Sequence, residues 1–134
     1  MPPERYAADD AREWPNRARS RLAHAKDDNP SVLLEDLCSD AQQAAEKALK
    51  AVLMFRAIPF PYVHDLAELA GRLAERGEEL PSDVTEAVSL TDHAVEARYP
   101  SFAEPITRVE YAQTLKLAEG VVRWTESLIL RNPG

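Results

Sequence analysis

The sequence predicts an all-α fold, an antiparallel up-and-down bundle of four to five helices, on three observations. Three segments repeat apolar residues at steps of three and four. The prolines fall mostly between periodic segments, where they mark helix ends. Alternating valines and threonines, the mark of a half-buried strand, are absent.

The first helix is expected from about Asp9 to Lys26. Pro15 lies near its start, where first-turn amides lack intrahelical partners in any case, and Asp27, Asp28, Asn29 and Pro30 break it. The second, about Ser31 to Arg56, has the clearest period: Leu33, Leu37, Ala41, Ala44, Ala48, Val52 and Phe55 form one stripe that must face a core. Gln42, Gln43, Glu46, Lys47 and Lys50 fall on the other side, with Glu46 and Lys50 in the favourable order for an ion pair one turn apart. Ile58, Pro59, Phe60 and Pro61 cannot continue that helix, because each proline lacks an amide proton and restricts the residue before it. A third helix starts near His64, turns Leu66, Leu69, Ala70 and Leu73 inward, and stops at Gly77. Pro81 and Ser82 open a fourth, reaching about Tyr99. After Pro100 and Pro105, Thr107 and Glu110 have the spacing of a capping box. The fifth helix starts there and directs Ala112, Leu115, Ala118, Val122, Thr125 and Ile129 to one side until Asn132, Pro133 and Gly134 end it.

With 134 residues, one domain over 1–134 is the expectation. No apolar run approaches the roughly 18 residues of a membrane span. The first residues carry charges of both signs rather than a secretory apolar core, so a cytoplasmic setting is expected. Cys38 has no intrachain partner, which excludes a disulfide framework; it reads as a small apolar residue of a buried helix. A net charge of −7 opposes non-specific contact with nucleic acid, so RNA binding requires a local basic patch. Arg17, Arg19, Arg21 and Lys26 form the densest one, although a solvated helix face gives the same pattern. Phosphate-loop, zinc-helix and serine-elbow signatures are missing, and His24, His64 and His93 lack ligand spacing, so neither metal nor cofactor is expected.

Four stretches carry a family resemblance. They are Trp14 with the spaced alanines of the first helix, the run from Asp40 to Leu53, His64-Asp65-Leu66, and Ala97-Arg98-Tyr99-Pro100. In this order, over nearly the whole chain, the sequence resembles the HEPN domain family. The resemblance implies a bundle of four to five helices, frequent homodimers, and pairing with small nucleotidyltransferase proteins in two-protein modules, some of them toxin–antitoxin systems. It further implies a nucleotide held in a cleft lined by His64, Arg98, Tyr99 and a second-helix lysine, Lys47 or Lys50. The plainer readings are that His64 caps the third helix, Asp65 sits at its positive end, Arg98 and Tyr99 anchor a helix end, and both lysines are solvated.

The family's ribonucleases use an arginine and a histidine about one helical turn apart. Here no histidine follows Arg98 in the required window, and Arg56 precedes His64 by seven intervening residues that include two prolines. Arg21 also stands where many relatives carry an acidic residue. An interaction module that dimerises is therefore the leading expectation. The alternatives are a metal-independent ribonuclease acting through Arg56, His64 and Arg98, and a purely structural dimer. Strong RNA cleavage by the isolated protein is not expected, because proton transfer needs its donor within hydrogen-bond reach of the phosphate.

Overall fold

The computed structural model describes residues 3–61, 65–89 and 105–130. Among the described residues, five helices make an all-α bundle: α1 (Glu13–Ala25), α2 (Leu34–Phe55), α3 (Leu66–Glu75), α4, described over 82–89, and α5 (Arg108–Ile129). No strand occurs among the described residues. The fourth helix expected to reach Tyr99 runs outside the described residues after 89.

Helix α2 is the centre of the bundle, packing against α1, α3 and α5. Its expected stripe is buried from Leu37 through Val52, and Ala45, Leu49, Ala51 and Leu53 are buried beside it. A helix covered on several sides needs a buried surface wider than a single stripe. Its small alanines let neighbouring backbones approach closely, and the leucines supply most of the apolar transfer energy, roughly 1.5–3 kcal/mol each when fully buried. Helix α1 adds Ala18, Leu22 and Ala25, α3 adds Leu66, Leu69, Ala70 and Leu73, and α5 adds Ala118, Val121 and Val122.

Side-chain contacts fix the directions. Arg21 reaches Asp40, and the Lys47 ammonium lies 5.6 Å from the Trp14 ring centroid, so α1 and α2 are antiparallel. Arg19 reaches Glu126, and the Tyr111 hydroxyl donates to the Ala25 carbonyl at 2.6 Å, so α1 is antiparallel to α5 as well. Between α2 and α5, the buried Thr125 hydroxyl donates to the Ala48 carbonyl at 3.3 Å. Gly120 leaves room for the start of α4, since a Cβ there would lie 2.0 Å from Asp83 Oδ2.

The helix ends follow local rules. Asp65 caps α3 by accepting from the amides of Ala67 and Glu68. Thr107 and Glu110 form both bonds of the capping box, at 3.1 and 3.0 Å. Gly77, with φ of 85°, ends α3; its amide donates to Ala74, and the Glu78 amide donates to Leu73. Helix α2 ends in the same way, with Ala57 at φ of 57° in the glycine position.

Three expectations are corrected. Leu33 is 63% exposed because it is the N-cap of α2, outside the helix whose face it was expected to continue. Ala112 is exposed: the inward face of α5 is established only from Leu115 and Ala118 onward. Lys50, expected on a solvated face, is only 7% exposed. Its methylene stem suits such a place, since lysine covers apolar surface with its chain while its charge reaches a polar neighbourhood.

Candidate anion-binding site

On α1, residues three and four apart share a face, so Arg17, Ser20 and Arg21 line up along one side. The antiparallel partner α2 brings Lys47 against that side. Together with Arg5, Asn16 and Arg19 they line a cavity of about 550 Å³. A second cavity of about 420 Å³ lies along α2, lined by Ser39, Gln42, Gln43, Glu46, Lys47 and Lys50. Lys47 borders both.

Carboxylates pair with the arginines that line the first cavity. Asp40 Oδ1 accepts from Arg21 Nη1 at 3.1 Å, and Glu126 Oε2 accepts from Arg19 Nε at 2.9 Å. Glu13 Oε2 accepts from Arg17 Nε at 3.5 Å, while the Arg17 guanidinium lies 4.9 Å from the Trp14 ring centroid. Lys47 has no such carboxylate ahead of its cationic neighbours: burial, then Arg21, Lys50 and Arg17, lower its pKa, with only a smaller opposing effect from Glu46. Crowded cations of this kind favour an incoming anion, because its charge relieves their repulsion and its oxygens accept from several N–H groups at once.

Glu13 is fully buried and carries the densest set of bonds in this region. Its carboxylate accepts from Arg5, the Tyr6 amide, Asn16 and Arg17. The Arg5 hydrogen bond, followed by the Tyr6 amide, holds its pKa well below the usual carboxylate range. The carboxylate therefore stays ionised well below the ordinary glutamate value of 4.5, and the stability it contributes, fully present above that value, is lost progressively as pH falls from there toward its lowered pKa.

The structure unites two features that the sequence kept apart: the basic run of the first helix and one of the second-helix lysines. Lys26 departs from that run to pair with Glu119. Lys50 lines the adjoining cavity. Arg56 lies elsewhere, at the C-terminus of α2, bonded through Nε to Glu78 at 2.7 Å and 5.2 Å from the Phe55 ring centroid. His64, Arg98 and Tyr99 lie outside the described residues. Arg5 and Glu13 are additional site residues that sequence reasoning missed. Glu13 reads locally as an acidic first-turn residue complementing the helix dipole, and nothing in the sequence spacing links it to Arg5 across a non-helical stretch. Among the described residues, no group of three or more His, Cys, Asp and Glu could hold a metal ion. No described helix is long and apolar enough to cross a membrane.

A family model of the HEPN domain matches residues 11–128. A HEPN domain protein from Thermotoga maritima, of known crystal structure, is 28% identical; the similarity covers 90% of this chain and 94% of that chain, with a TM-score of 0.49. Comparison with curated proteins finds no match.

Proposed function

This chain belongs to the HEPN domain family, and from that premise we propose that it is a binding and interaction module that holds the phosphates of a nucleotide in the arginine-lined cavity between α1 and α2. The observation that carries the reading is the convergence of Arg17, Arg21 and Lys47, from two different helices, on one cavity. Arginine offers paired N–H groups matched to phosphate oxygens, and Lys47 supplies a compact charge beside them. The module works in the cytoplasm as a homodimer that pairs with a small nucleotidyltransferase-like protein. Support for an association surface comes from the exposed Leu33 and Val109. They belong to one end of the bundle, where Glu35 accepts from the Ile106 amide. Binding is favoured over RNA cleavage because no histidine follows Arg98 at the spacing that the ribonuclease alternative requires.

Titration calorimetry with ADP tests the site. Lys47→Ala and Arg21→Ala should each weaken ADP binding by roughly tenfold, the scale of one charge-assisted hydrogen bond. No binding by the wild type at millimolar ADP, or wild-type affinity in both variants, would defeat the proposal.

A further inference from the structure

The segment before α1 lies across that helix as an irregular strap. Asn16 Nδ2 donates to the Glu4 carbonyl at 2.7 Å, the Tyr6 amide donates to Glu13 Oε1 at 3.0 Å, and Trp14 Nε1 donates to the Ala8 carbonyl at 2.9 Å. Arg12 covers the Tyr6 ring at 4.3 Å from its centroid. The strap places Pro3 and Arg5 in the lining of the basic cavity. Arg5 gives its Nε and Nη2 to Glu13, yet two-thirds of its side chain stays exposed.

We propose that this strap completes the anion site, with Arg5 as a phosphate-binding residue and Glu13 as the positioning residue that seats it. The inference rests on the phosphate-site reading above and adds to it how the site is closed. Glu13 bonds both Arg5 and Arg17, one on the strap and one on α1, so a single buried carboxylate sets the separation of two cavity arginines. A bidentate contact uses one edge of the Arg5 guanidinium and leaves N–H groups on its other edge, which a phosphate in the cavity that Arg5 lines can bridge. The strap has no helix or strand of its own and is tied to α1 through side-chain bonds, so it can be displaced without unfolding the bundle. An anion contacting both Arg5 and Lys47 binds the seated strap better than the displaced one, and by linkage it stabilises the seated form.

Electrostatics alone and the strap make opposite predictions for Glu13→Gln. Removing a negative charge beside the cavity should by itself tighten anion binding. If Glu13 positions the strap, Glu13→Gln instead weakens ADP binding by about tenfold, the scale of a lost charge-assisted contact, and Arg5→Ala weakens it by a similar factor. A second readout is trypsin cleavage after Arg5 in the full-length chain. Saturating ADP should slow this cut in the wild type, and Glu13→Gln should accelerate it. ADP binding that is unchanged or tighter in a folded Glu13→Gln protein overturns the strap, as does cleavage after Arg5 that ADP leaves unaltered. Should Glu13→Gln fail to fold, Arg5→Ala decides: unchanged ADP affinity refutes the proposal. A wild type that binds no ADP fails at the earlier step and overturns the phosphate site itself, whereas wild-type binding with indifferent strap variants overturns the strap alone.

Discussion

Ala57 occupies a conformation that its neighbours impose. At φ of 57° it closes α2 by donating its amide to Met54, while the next amide, of Ile58, donates to Leu53. Left-handed backbone costs a residue with a Cβ roughly 1–2 kcal/mol, and glycine avoids most of that cost while losing more freedom on folding. Ala57→Gly should therefore raise stability by a net of roughly 0.5–1 kcal/mol, read as a higher urea midpoint at unchanged slope. Because Ala57 is exposed, the substitution removes no core contact. A lower midpoint would contradict this account of the turn. Gly77 was legible as a stop because glycine announces a left-handed position, whereas Ala57 carries no such signal. The prolines at 59 and 61 told where α2 must end but not which residue would turn the chain.

Among the elements, α2 shows both the reach and the limit of periodicity. Leu33 and Leu49 are both leucines at apolar places in this region, yet Leu33 is 63% exposed and Leu49 is fully buried. Leu49→Ala should cost about 2–5 kcal/mol by loss of transfer energy and by the cavity it leaves. Leu33→Ala should change stability by less than about 0.5 kcal/mol. Thermal melts of the two variants check this, and equal shifts would mean that α2 starts earlier than Leu34. The cap at Thr107 could be read from sequence because its bonds close within a few residues, whereas the cap of α3, expected at His64, is Asp65. Ala112 and Lys50 could not be placed in this way. Their burial depends on where neighbouring helices end and cross, which periodicity along one helix does not encode.

For the molecule as a whole, an acidic chain of net charge −7 concentrates cations in one cavity. Salt should separate binding from stability. Raising sodium chloride from about 0.1 to 1 M shortens the screening length from about 10 to 3 Å. Binding of ADP should fall at least tenfold over that range by roughly the strength of one or two charged contacts. The melting temperature should move little, because exposed ion pairs such as Arg19–Glu126 contribute about 0–1 kcal/mol each. Salt-independent ADP binding would contradict a site built on Arg17, Arg21 and Lys47. That site was only half legible, since its arginines and its lysine are separated in sequence and meet through the pairing of α1 with α2. The position of α5 has a consequence in time. Its contacts with α1 join residues such as Arg19 and Glu126, 107 positions apart, while α1 and α2 are joined by a short connection. Closing the shorter loop loses less chain entropy, so the α1–α2 hairpin can assemble before α5 docks. Until α5 arrives, the part of α2 around Ala48 that will accept the Thr125 hydroxyl remains open to water and to other unfinished chains.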